Sequence, residues 1–135
     1  MIPGLTPLRT DPFIFSETTM SQKSSNADLK FRAFSDRIRL RILHLLLKGE
    51  MCVCDLVDVI KVPQPTASRH LAYLRKAGLV ATEKKGLWMY YTLTPAKTKF
   101  HKRLMDCLAV CFEEVSEIRQ DKARHAKLKK SGRCC

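Results

Sequence analysis

The sequence predicts a mainly α fold with one small β-hairpin. Three observations point there. Apolar residues recur at helical spacing in successive stretches from Leu29 to Ile118. The aromatic, extended run "LWMYYTLTP" follows a Lys-Lys-Gly turn signal. At 135 residues, 45% of them apolar, the chain fits one domain with a modest core.

Residues 1–25 read as a loose N-terminal arm. "MIPGLTPLRTDPF" carries three prolines and a glycine, and "SQKSSN" is polar. A short helix is expected near "FIFSET". Met20 opens "MSQKSS", a normal start, so the first nineteen residues can be read as an early start-codon assignment. Residues 26–125 read as the folded domain. Asn26 suits the N-cap of a first helix with Leu29, Phe31 and Phe34 on its apolar stripe. Ser35 or Asp36 can cap a second helix, with Ile38, Ile42, Leu45 and Leu46 inward and Gly49 at its end. Cys54 to Ile60 makes a short third helix and "KVPQP" a turn. Pro65 suits the first turn of a fourth helix, "QPTASRHLAYLRKA", closed by Gly78. Two short helices and a tight turn before a polar-faced second helix form a helix-turn-helix pattern.

The segments "LVATEKKG" and "LWMYYTLTP" then pair as a hairpin, the wing. Pro95 opens a final long helix through about His125, striped by Phe100, Leu104, Cys107, Leu108, Cys111, Phe112, Val115 and Ile118. A small winged domain cannot bury that stripe alone, so the terminal helices are expected to join two copies in a homodimer. Residues 126–135 read as a basic, mobile, Cys-ending tail.

The formal charge is +12, from 25 basic and 13 acidic residues, which favours a polyanionic partner. No apolar run approaches the roughly 20 residues that span a bilayer, and no export signal opens the chain. A cytoplasmic protein without a membrane partner is expected. On the fourth helix Leu71 and Leu74 point inward. Gln64, Thr66, Ser68, Arg69, Tyr73 and Arg75 are left to meet base edges or phosphates of double-stranded DNA. His70 faces partly inward and suits packing or a phosphate. Lys84 and Lys85 at the wing tip suit the DNA backbone.

Six cysteines without an export signal read as thiols, metal ligands or redox groups rather than a disulfide framework. Cys52 and Cys54 stand two residues apart. In an intact helix such positions differ by roughly 200° and face opposite sides. The pair can hold one ion only if the helix begins at about Cys54 or its first turn unwinds. Thiolate sites favour soft ions: As(III), Sb(III), Cd(II), Pb(II), Cu(I) or Zn(II).

Two motif sets stand out: Ser68-Arg69-His70-Leu71 with Leu74 and Gly78-Leu79-Val80, and Glu50-x-Cys-Val-Cys-Asp-Leu. On them, from about Asn26 to Leu93 and with a compatible last helix, the chain resembles the ArsR family of bacterial metal-sensing repressors. The first set occurs across many winged helices; the second resembles the arsenic- and cadmium-responsive members in particular. The resemblance implies a repressor that leaves its operator on binding As(III) or Sb(III), with Cys52 and Cys54 as ligands. The best-known arsenic sensors carry another cysteine where this chain has Val57, and the cadmium-responsive relatives use an N-terminal cysteine that is absent here. The third sulfur must then come from Cys134 or Cys135 on the tail, or from Cys107 or Cys111 on the last helix. Buried packing is the alternative for those last two. Asp106, Glu113, Glu114 and His125 do not fall at the spacing of the zinc-sensing members' second site. Two alternatives stay open: a Cd(II), Pb(II) or Zn(II) response, and a thiol-based redox switch. An enzyme is not expected, since no Cys-x-x-Cys sits in a strand-helix pattern.

Overall fold

The structure is a computed structural model and describes residues 27–111 and 114–131. Asn26, expected as a cap, lies outside them, as do the N-terminal arm, Cys134 and Cys135. The elements in order are α1 (27–34), α2 (Arg37–Leu46), β1 (Met51–Cys52), α3 (Val53–Ile60), α4 (Gln64–Lys76), β2 (Val80–Lys85), β3 (Trp88–Leu93), α5 (Lys99–Cys111) and α6 (Ser116–Ser131). The fold is mainly helical with a small antiparallel sheet, in the winged helix-turn-helix arrangement.

Asp36 is the cap of α2: its carboxylate accepts from the Arg39 backbone N–H at 3.0 Å. Ser35 instead donates its hydroxyl to the Arg32 carbonyl. Helix α2 is the hub, packing on α3, α4, α5 and α6. Its Ile42, Leu43, Leu45 and Leu46 meet Leu56, Val59 and Ile60 of α3 and Leu71 and Leu74 of α4 in one core. Leu79 and Val80 anchor the wing to it. The wing is the expected hairpin, in register from Val80↔Leu93 to Lys85↔Trp88. Its two-residue tip starts with Gly86 at φ +64°, the conformation a two-residue hairpin turn needs there.

Three features differ from the sequence reading. A short strand, β1, precedes α3 and pairs with β3, giving the order β1-β3-β2. Two residues are too short for an alternation pattern to announce. The final helix is two helices rather than one. Thr98 starts the first, accepting from the His101 N–H on its hydroxyl and the Lys102 N–H on its carbonyl. The chain then restarts at Ser116, with the Val115 carbonyl accepting from the Ile118 and Arg119 N–H groups. The break lets α6 lie back on α2 and α3, burying Ile118, Asp121, His125 and Leu128 at three- and four-residue spacing. One unbroken helix from Pro95 to His125 would extend roughly 45 Å and leave that stripe in water. Finally, α6 continues to Ser131 through the segment read as the start of a mobile tail, because Leu128 still reaches the core.

Candidate nucleic-acid interface and thiol cluster

Helix α4 begins after Pro63, whose extended backbone (ψ 147°) ends the turn, with Pro65 in the first turn where no N–H is missed. Ala67, Leu71 and Leu74 bury one face. Gln64, Ser68 and Arg75, with Ala72 between them, recur at four- and three-residue spacing on the opposite, exposed face, and Arg69 stands beside them. These side chains project from α4, and nothing among the described residues covers them. The other three expected contacts are half-buried along the flank. His70 Nδ1 lies 3.3 Å from Arg39 Nη1 and 3.8 Å from Asp36 Oδ1. The Arg39 guanidinium sits 4.1 Å over the Tyr73 ring. Thr66 precedes them on the same flank. Burial lowers the His70 pKa, and the positive Arg39 and Arg69 add to this against the pull of Asp36.

At the wing, Lys84 and Lys85 are exposed, and Leu87 at the tip is 92% exposed. Lys85 forms an ion pair with Glu50 and lies 5.2 Å over the Tyr90 ring. The Glu50 partner raises the Lys85 pKa, so this lysine stays charged.

The cysteine pair resolves the geometric problem of two residues on opposite sides of a helix. Cys52 is not in the helix: it is the extended N-cap residue (φ −83°, ψ 164°), in β1 opposite Tyr90. Cys54 lies in the first turn of α3. The backbone change between them turns both side chains to one side, and the sulfurs stand 3.2 Å apart. An S–S bond is about 2.05 Å. No unwinding of α3 is needed to bring the pair together. Asp55 joins them, and the three ligand atoms lie within 4.8 Å of one another. Cys52 and Asp55 are buried and Cys54 half-buried. Among the described residues this is the single such group.

Cys107 is exposed on α5 and outside that group. Cys111 ends α5, and its side chain, like Cys134 and Cys135, lies outside what is described. Asp55 and Arg39 were missed as site residues. Asp55 carried a signal, since it stands beside Cys54 in the first turn of a helix, where a carboxylate faces the positive end. Among the described residues no helix is long and apolar enough to cross a membrane.

Comparison with known proteins agrees with this geometry. Residues 36–82 match the model of the bacterial regulatory protein, arsR family. An uncharacterized HTH-type transcriptional regulator of Methanocaldococcus jannaschii is 44% identical over 86 residues, covering 63% of this chain and 97% of the relative. The arsenical resistance operon repressor of Escherichia coli is 40% identical over 85 residues, covering 62% and 73%. The structure of reduced HlyU from Vibrio cholerae superposes with a TM-score of 0.58 at 32% identity, covering 70% of this chain and 97% of that one. On the helix-turn-helix, the wing and these relatives together, the chain belongs to the arsR family of bacterial regulatory proteins.

Proposed function

We propose that the protein is a cytoplasmic, homodimeric repressor that holds a roughly palindromic operator and leaves it when As(III) or Sb(III) is captured by Cys52 and Cys54. The observation that carries this reading is the convergence of the two sulfurs, 3.2 Å apart, at the start of the first helix of the helix-turn-helix. The two sulfurs already face one another, so one soft ion can bridge them with little rearrangement of the backbone, and the family resemblance favours As(III) or Sb(III) for it. Cys134 or Cys135, on the tail of either subunit, is the favoured source of the third sulfur, with Cys107 and Cys111 as the other candidates. The Asp55 carboxylate offers an oxygen that Cd(II), Pb(II) or Zn(II) would accept beside the sulfurs.

DNA contact falls to Gln64, Ser68, Arg69 and Arg75 on the exposed face of α4 and to the wing lysines Lys84 and Lys85. Thr66 serves from the flank, beside the half-buried His70 and Tyr73, which face Arg39. Exposed apolar residues on α1 and α5, Phe31 at 58% and Val110 at 71%, support dimerisation through those helices. Two reading helices then face successive half-sites. Release follows from where the thiols sit. Cys52 belongs to the strand that pairs with β3, and its near neighbour Glu50 is tied to Lys85. An ion held by both thiolates therefore ties the wing sheet to the start of α3, and drawing in its third sulfur would shift the two together.

A redox reading stands second, supported by the same close sulfurs and by the likeness to reduced HlyU. Peroxide would take two electrons and two protons from the thiol pair, leaving a disulfide and two waters. Fluorescence anisotropy of a labelled operator, titrated with As(III), Sb(III), Cd(II), Zn(II) and peroxide, separates the readings. Release by arsenite and antimonite supports the proposal. Release by peroxide alone replaces it with the redox switch.

A further inference from the structure

Arg39 touches three elements at once. From the first turn of α2 its Nε donates to the Ala33 carbonyl at 3.2 Å and its Nη2 to the Arg32 carbonyl at 2.8 Å, both at the C-terminal end of α1. Its Nη1 lies 3.3 Å from His70 Nδ1, and its guanidinium stacks 4.1 Å over Tyr73. The planar fork of an arginine can make these contacts together; a lysine ammonium cannot. One side chain thus joins the last turn of α1 to the flank of α4. Helix α1 is in turn fixed to α5 by the edge-to-face contact of Phe31 with Phe100, ring centroids 5.1 Å apart.

We infer that Arg39 is a positioning residue for DNA recognition: it sets the roll of α4 relative to α1 and α5, and so decides specific against non-specific binding. The inference rests on the proposed reading of α4 as the DNA-reading helix. It gives His70 and Tyr73 a role as the seat of this clamp rather than as base contacts. A roll of about 20° carries a side-chain tip about 5 Å from the helix axis through nearly 2 Å. That breaks a base-edge hydrogen bond, whose donor–acceptor range spans about half an ångström. Flexible phosphate contacts survive it. Loss of the clamp should therefore fall on sequence recognition and spare electrostatic affinity.

The test compares the full-length wild type with Arg39→Lys, which keeps the charge, and with Tyr73→Leu, which removes the ring and leaves α2 untouched. Each is titrated against a duplex selected by the wild type from a random-sequence pool and against a scrambled duplex of equal length at one salt concentration. Amide hydrogen exchange is followed in parallel. Both variants should lose about tenfold or more on the selected duplex and no more than about threefold on the scrambled one. Exchange should quicken in α4 and not in α3, with the oligomeric mass unchanged. Equal losses on both duplexes would make Arg39 a phosphate contact and overturn the inference; so would undiminished selectivity. If the wild type selects no sequence, the DNA reading of α4 falls. The exchange result then decides whether Arg39 holds α4: quickening confined to α4 supports it, and an unchanged pattern overturns it. Should Arg39→Lys not fold, Tyr73→Leu carries the same comparison.

Discussion

Asp121 has its carboxylate almost wholly out of water and takes hydrogen bonds from Arg41 Nε at 2.8 Å and Nη2 at 2.9 Å. Arg41 also donates to the Ile60 carbonyl, and Arg124 to that of Val59, so this group pins α6 to the end of α3. The bond to Asp121 raises the Arg41 pKa. Asp121→Asn leaves the half-buried Arg41 guanidinium without its counter-charge and should cost about 3 kcal/mol in urea unfolding. A loss under about 0.5 kcal/mol would show water reaching the pair. Two histidines set a pH dependence. Burial is the main cause that lowers the pKa of both His70 and His101, and His101 Nε2 has no hydrogen-bond partner among the described residues. The unfolded chain takes up protons on them below about pH 6.5, while the fold resists until the depressed values are reached. Stability should therefore be full above about pH 6.5 and fall as pH drops through the folded pKa values. Replacing His101 by Gln should flatten that fall in urea midpoints measured against pH. At this scale the sequence was legible where chemistry is local. Cys52 and Cys54 stood out by their spacing. Arg41 and Asp121 are eighty positions apart, and only the fold joins them.

Helix α3 is short and both its ends matter. It begins at Val53 because the Cys52 backbone is still extended, and it ends at Lys61 in the left-handed conformation, φ 66° and ψ 46°. That geometry costs a residue with a Cβ about 1–2 kcal/mol, partly offset in glycine by about 0.5–1 kcal/mol of added chain entropy. Lys61→Gly should raise stability by roughly 0.5 kcal/mol and the thermal midpoint by about 2 °C; a lower midpoint would contradict the account of this turn. The helix-turn-helix and the wing were legible because their signals are strong: prolines at the turn, apolar residues on one face of α4, glycine at the hairpin tip. Strand β1 was not, being too short for a pattern. The division between α5 and α6 was half-written. Thr98 and Ser116 are capping residue types, yet the apolar spacing runs across the break and no glycine or proline interrupts it.

The whole molecule carries +12, and the proposed DNA face gathers Arg69, Arg75, Lys84 and Lys85 on α4 and the wing. Operator affinity should fall steeply with salt, and Lys84→Ala should reduce the slope of log K against log salt by roughly two in a dimer, one per subunit. A slope unchanged by Lys84→Ala would remove the wing tip from the DNA contact. The charge and the terminal apolar stripe were visible in the sequence, as was the thiol motif. Hidden from it was the continuity between them: Cys52, Glu50, Lys85 and Tyr90 meet in one small sheet only after folding. The central claim is that the pair at the start of α3 is the sensor. It is tested most directly by operator anisotropy under arsenite for the wild type, Cys52→Ser and Cys54→Ser. Serine keeps the size of the helix start but is a poor ligand for a soft ion. The account predicts that all three bind the operator alike and that arsenite releases the wild type alone. A Cys52→Ser/Cys54→Ser protein that still leaves the operator with arsenite would contradict it and move the sensor to the C-terminal cysteines.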